Sequence, residues 1–178
     1  KEMEQFFSNG KLNGRLTRWR ENGRKWVEVN YKDDNLHGKH TKWFRNGNKQ
    51  SESNYINGKL DGKWTEWYHN GQYKSERKVK DGKLDGKLTQ WHENGQIEEE
   101  GKYKDGKLVS ETKFDYHRNG QKKSEKNYTD NNQEGRSSLW YDNGQLKEEG
   151  YYKDGELDGI WTSWDDTGQI LYERKFKD

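Results

Sequence analysis

The chain has no cysteine, no proline, no alanine and a single methionine in 178 residues. Without cysteine there is no disulfide framework, no thiolate nucleophile and no cysteine-based zinc site. Hydrophobic residues of all kinds amount to 25% of the sequence against 37% charged ones, a balance at which chains commonly bury too little apolar surface to fold. A compact globule around an aliphatic core is therefore not expected. Nothing approaches the roughly 20 consecutive apolar residues of a membrane span, and these residues contain no secretory signal pattern. Charge of one sign is lacking too: 34 Lys and Arg stand against 32 Asp and Glu, for a net charge of +2.

What the chain has is register. Nine Trp, eleven Tyr and five Phe make up more than half of the apolar set, and they recur at a fixed period. The Asn-Gly step after the tryptophan places its glycines at Gly23, Gly47, Gly71, Gly95, Gly120, Gly144 and Gly168, the last as Thr-Gly. A second glycine column, Gly14, Gly38, Gly62, Gly86, Gly135 and Gly159, keeps the same spacing and is broken only at Ser110. The period is 24 residues, with one step of 25 between Gly95 and Gly120. One repeat domain over 1–178 follows, with units at 12–35, 36–59, 60–83, 84–107, 108–132 (irregular), 133–156 and 157–178. Residues 1–11 match the second half of a further unit, with Phe7 where later copies have Tyr31 and Tyr55, so the chain opens inside a repeat.

Each unit reads as two short strands and two turns. A Trp- and Thr-rich segment such as 63–68 favours a pleated surface and ends in Asn-Gly, the strongest short hairpin signal. A second strand such as 72–79 runs to Asp81-Gly82, and a Leu-Asp-Gly step leads into the next unit. Glycine turns leave runs of only about 7 to 9 residues, short of the roughly 12 to 15 that an isolated helix needs. The expected fold is all-β: an elongated single-layer antiparallel sheet of successive hairpins. At about 4.8 Å per strand, seven units would extend on the order of 65 to 70 Å. The apolar last unit, with Ile170, Leu171, Tyr172 and Phe176, is the expected cap.

Units of the form G-x-W-x-x-W-Y-x-N-G-x-x-x-x-E-x-x-Y-x-D-G-K-L-D-G resemble the bacterial variant of the MORN repeat, the unit of the YwqK-type antitoxin family. The resemblance covers essentially the whole chain. It implies an elongated sheet of hairpins, no enzymatic activity, no cofactor and a protein-binding role, which in some members is neutralisation of a toxin.

The columns carry their own chemistry. Glu28, Glu52, Glu76, Glu100, Glu125, Glu149 and Glu173 occupy one position in all seven units. They could form an acidic stripe for a basic partner, but a residue required in every copy reads first as scaffold, accepting hydrogen bonds or pairing with lysines such as Lys74, Lys122 and Lys147. A column spaced by about 10 Å per unit does not converge on a metal ion. Basic residues follow the second glycine at Arg15, Lys39, Lys63, Lys87 and Arg136; the near-neutral balance argues against a nucleic-acid or anionic-lipid track. Trp19, Trp43, Trp67, Trp91, Trp140 and Trp164, with Tyr116 in the fifth place, are expected to be the core itself, although an exposed row of this kind could stack sugars. The remaining aromatics, Trp26, Phe44, Tyr68, Tyr73, Tyr141 and Tyr151, are free to face a partner. The five histidines lie at turns or strand ends, and no nucleophile, phosphate-loop or zinc-protease pattern appears.

The break in the period is the most individual feature. Unit five replaces the column glycine with Ser110 and the tryptophan with Tyr116, and gains one residue. An insertion in a strand makes a bulge or shifts the register, so residues 108–137 are expected to bend and to present Phe114, Tyr116, His117, Arg118 and Arg136 to a partner. Two functional readings follow. One is a cytoplasmic protein that binds and masks a toxin or other protein. The other is a secreted or surface-displayed repeat that binds a host protein or a glycan, which an upstream signal would mark. Free sheet edges also invite edge-to-edge pairing between chains.

Overall fold

Two turns per unit cut the backbone into strands. In the second turn, Asp81 and Gly82 both take left-handed φ (50° and 83°), as do Asn57 with Gly58 and Asp154 with Gly155. This is the conformation that lets a two-residue hairpin follow the natural twist of its strands. At Asp33-Asp34 and Asp130-Asn131 the glycine is absent, and short polar side chains adopt the left-handed conformation instead. In the first turn, the Asn side chain accepts the amide two residues on: Asn48 N–H to Asn46 Oδ1 at 3.0 Å and Gln72 N–H to Asn70 Oδ1 at 2.9 Å.

A computed structural model describes residues 3–176, among which there is no helix. The strands are β1 (Met3–Glu4), β2 (Phe7–Ser8), β3 (Lys11–Leu12), β4 (Gly14–Trp19), β5 (Lys25–Lys32), β6 (Asn35–Trp43), β7 (Lys49–Ile56), β8 (Lys59–Leu60) and β9 (Gly62–Trp67). They continue with β10 (Tyr73–Lys80), β11 (Lys83–Trp91), β12 (Ile97–Lys104), β13 (Lys107–Tyr116), β14 (Lys122–Thr129), β15 (Asn132–Trp140), β16 (Leu146–Lys153), β17 (Glu156–Trp164) and β18 (Ile170–Phe176). Sixteen of them form an antiparallel sheet whose order follows the chain and does not close on itself, while β2 and β3 form a separate hairpin. The strands divide between two compact units. One runs to Gln96 and includes Tyr103–Lys107; the other comprises Ile97–Lys102 and continues from Leu108.

The Leu-Asp-Gly step lies inside the strand in β11 and β17 and falls between β8 and β9 at Asp61. β11 runs straight through Leu84-Asp85-Gly86, with Gly86 at φ 124° and a register shift between Arg77 and Val79 of its partner β10, the signature of a glycine bulge. The leucine packs across to the column of large residues on the preceding strand: Leu36 opposite Tyr31, Leu84 opposite Val79 and Leu157 opposite Tyr152. In the fifth unit Val109, Ser110 and Glu111 stand where Leu84 is followed by Asp85 and Gly86. No residue of β13 has a left-handed φ, and the insertion is absorbed before Glu111, which faces Tyr128 as Gly135 faces Tyr152. The register with the following strand is therefore unshifted, and the structural equivalent of the column glycine is Glu111 rather than Ser110.

Burial corrects one expectation. The tryptophan column is only half-buried, whereas the small hydroxyl residues two positions before the tryptophans are buried: Thr17, Thr41, Thr65, Thr89, Ser138 and Thr162. In a single layer the bulky indoles reach the rim of the sheet surface, whereas a short side chain lies beneath its neighbours. The opposite face holds a row formed by Leu16, Val29, His40, Ser53, Trp64, Arg77 and Leu88, in which Leu16, Val29 and Leu88 are buried. Arg77 lies 4.2 Å above the Trp64 ring and 2.7 Å from Glu66, and Ser75 Oγ donates to the same carboxylate at 3.0 Å. The expected cap is corrected too: Ile170, Leu171 and Tyr172 of β18 are exposed, each by more than half.

Two outcomes follow from this row. The Trp161 ring occupies the space that a side chain at Gly150 would fill. Gly150→Val is expected to cost about 1–3 kcal/mol through overpacking, read as a lowered urea midpoint; an unchanged midpoint would contradict this packing. His40 sits where other units place Leu, Trp, Lys or Ser, and its Nε2 is buried without a partner. Burial, aided by the nearby Lys42 ammonium, holds its pKa below the ordinary histidine value. Below pH about 6.5 the unfolded chain binds the proton that the fold resists, so stability is complete above that pH and is lost as pH falls through the window. Thermal midpoints should fall on acidification from neutral pH, and His40→Leu should flatten that slope.

Candidate functional site

The glutamate column lies in a cross-strand row with the buried hydroxyls. Thr17 faces Glu28, which faces Thr41 on its other side, and the row runs on through Glu52, Thr65 and Glu76 to Thr89. A corresponding row joins Phe114, Glu125, Ser138, Glu149, Thr162 and Glu173. The carboxylates are paired by cations from two columns. Lys25, Lys49 and Lys122, two residues past the turn glycine, reach Glu28, Glu52 and Glu125 at 2.6, 2.7 and 2.7 Å. Lys39, Lys63 and Arg136, next to the second glycine, reach Glu52, Glu76 and Glu149 at 3.1, 2.6 and 3.5 Å. For Glu52, partial burial works to raise the pKa, but the hydrogen bonds from Lys49 and Lys39 outweigh it and hold the carboxyl below its usual value. Such half-exposed pairs each contribute about 0–1 kcal/mol; their weight lies in being repeated.

The same lysines cover indole rings. Lys25, Lys49 and Lys122 lie 5.5, 5.4 and 5.3 Å from the ring centres of Trp43, Trp67 and Trp140, and Tyr73 packs against both Trp67 and Trp91. Lys74 and Lys147, read from the sequence as carboxylate partners, instead lie over the rings of Tyr68 and Tyr141. Rotamer direction, which spacing alone does not reveal, decides between the two.

A second ladder runs along the turns and was not visible in the sequence. Asn46, Asn70 and Asn143 donate through Nδ2 to the carbonyls of His69, Glu93 and Asp166 at 2.8, 3.0 and 2.8 Å, each 23 residues on, and Asn119 does the same to Asp142. In three units the residue after the tryptophan reaches the next unit's tryptophan carbonyl: Arg20 to Trp43, Tyr68 to Trp91 and Tyr141 to Trp164 at 3.0, 2.7 and 2.9 Å. Tyr68 and Tyr141 are therefore staples of the scaffold rather than aromatics free for a partner. Trp26, Tyr73 and Tyr151 do stand exposed, while Phe44 is half-buried with its ring 5.1 Å from that of His69.

The five residues singled out around unit five lie on β13, the turn after it and β15. Phe114 takes the place in the row that other units give to Thr or Ser. Lys122 sits between the Phe114 and Trp140 rings at 5.0 and 5.3 Å. Tyr116 is half-buried, and burial pushes its pKa up against the nearby Lys122 charge and a hydrogen bond from the Ile97 backbone. His117 Nε2 lies 2.8 Å from the Trp140 carbonyl, repeating the Tyr68 staple. Arg118 is exposed on the turn, and Arg136 pairs with Glu149. Phe114, Tyr116, Lys122 and Trp140 thus share one face.

Among the described residues, no three His, Asp or Glu side chains gather as metal ligands. No curated protein matches the sequence. The sequence model of the MORN repeat variant matches residues 36–57, 60–81, 84–105, 133–154 and 157–178, five windows of 22 residues that cover well over half of the chain. The irregular fifth unit lies outside these windows. MORN repeats serve as protein- or membrane-binding motifs. By the extent of this match, and by a sheet of successive hairpins in the same period, the chain belongs to the MORN repeat variant family.

Proposed function

We propose that this chain is a non-enzymatic scaffold that binds and masks a partner protein, in the manner of an antitoxin or immunity protein. The observation that carries the reading is the way each repeated chemical column is used up. Carboxylates are met by lysine, turn asparagines by carbonyls, and indole faces by lysine or tyrosine. What departs from the repeat is aromatic and exposed or half-buried, which is what protein interfaces enrich. Indoles covered in this way offer little to a stacking sugar. Lys39 and Lys63, committed to glutamates, offer little to a phosphate backbone or an anionic membrane. The resemblance to the YwqK-type unit supports a partner that is a toxin, and the contact is placed at Phe114, Tyr116, His117, Arg118 and Arg136.

Affinity capture of the chain from a lysate of its own organism, at moderate salt, should retain one near-stoichiometric protein. Replacing Phe114, Tyr116 and Arg136 together by Ala should weaken that complex by at least about tenfold, since buried aromatic and arginine anchors each carry about 1–2 kcal/mol or more. Unchanged affinity in a folded triple variant would remove the contact from this surface. Retention of glycans in place of protein would overturn the masking role.

A further inference from the structure

In the first compact unit, the turn after β4 and the start of β5 enclose an open cavity of about 820 Å³, lined by Trp19, Arg20, Glu21, Asn22, Trp26 and Arg45. Its size falls within the range of ligand sites. Two of its residues are singular in the repeat. The Arg20 position carries Phe, Tyr, His or Asp in the other units, and the Trp26 position carries Gln, Lys, Glu or Leu. A residue kept in every copy serves stacking; these are found in one copy and line a cavity. Trp26 is 46% exposed, a large apolar face left in water.

The cavity is held in shape. Arg20 donates through Nη2 to the Trp43 carbonyl at 3.0 Å, and its guanidinium lies 5.6 Å from the Trp26 ring centre, fixing the indole against the turn. Arg24 hydrogen-bonds the carbonyls of Arg45 and Asn46, tying the next turn to this one. Arg45 is thereby fixed by its backbone while its side chain stays exposed. The lining holds two guanidiniums, Arg20 and Arg45, and one carboxylate, Glu21, so it carries an excess of positive charge beside two indoles. Arginine matches a carboxylate in a bidentate, charge-assisted fork, and an indole face accepts an aromatic side chain.

We infer that this cavity binds an acidic peptide segment bearing an aromatic side chain, with a carboxylate on Arg45 and the ring against Trp26. The inference rests on the protein-binding reading and names the chemistry of what is bound. It does not depend on the surface around Phe114.

The test uses the full chain labelled with nitrogen-15 and the probe peptide acetyl-DFDE-amide, with acetyl-KFKK-amide as control. The indole N–H resonances of the nine tryptophans report where the peptide lies. The acidic peptide should shift Trp19 and Trp26 saturably and leave the other indoles in place, the lysine peptide should not, and Arg45→Glu should weaken binding by about tenfold. Because Arg45 contributes its side chain only to the exposed lining, that variant keeps the fold, which the unmoved indoles verify. Absence of a saturable shift, equal response to the lysine peptide, indifference to Arg45→Glu, or displacement of the same indoles by an oligonucleotide instead would each overturn the inference. A chain that captures a protein partner but ignores the acidic peptide overturns this inference alone and leaves the masking role standing.

Discussion

The structure depends on one constraint: each unit satisfies its polar groups with the unit that follows. A lone hairpin of this composition has nothing to bury and little to hold it. Stacked in register, Glu28, Glu52 and Glu76 each lie between two threonines, Asn46, Asn70 and Asn143 find a carbonyl 23 residues on, and Trp43, Trp67 and Trp140 each receive a lysine. The aliphatic poverty of the sequence is tolerable because no three-dimensional core is required. Four apolar residues, Leu16, Val29, Val79 and Leu88, are buried among those described; most of the remaining cohesion is polar and periodic.

This arrangement also separates scaffold from function. A column that recurs in all seven units is explained by the neighbour it touches, as the glutamates are by Lys25, Lys49 and Lys122. Individuality lies where a copy departs from the pattern: Phe114 in a row of Thr and Ser, or Trp26 in a column of Gln, Lys, Glu and Leu. Lys122 illustrates how the two interlock. It forms the repeat's ion pair with Glu125 while lying between the Phe114 and Trp140 rings, so the irregular residue is grafted onto regular support.

Most of the fold was legible because period and turn chemistry are one-dimensional signals. Asn-Gly and Asp-Gly at fixed offsets dictate hairpins whatever lies between them, and alternation assigned Thr65 and Trp64 to opposite faces. What escaped was decided by depth and by side-chain direction. Tryptophan was the natural choice for a core, yet in a single layer its size carries it to the rim while Thr65 is covered. Tyr68 and Tyr141 looked like spare aromatics because nothing in the sequence shows a hydroxyl reaching a carbonyl in the next unit. The extra residue of unit five suggested a shifted register, but Val109, Ser110 and Glu111 take up the space of an Asp and a left-handed glycine and leave Glu111 in step. The cavity at Trp26 had a sequence signal, a residue unique within its column, that gains meaning only beside Arg20 and Arg45.

The turn ladder carries a genetic consequence. Since Asn46, Asn70 and Asn143 each donate through Nδ2 to a carbonyl 23 residues on, deleting or duplicating a whole unit between such turns by unequal recombination leaves the donor facing an acceptor of the same kind. Change of any other length puts asparagine out of phase with its carbonyl. The gene can therefore lengthen or shorten the binding surface in whole repeats without redesigning its fold.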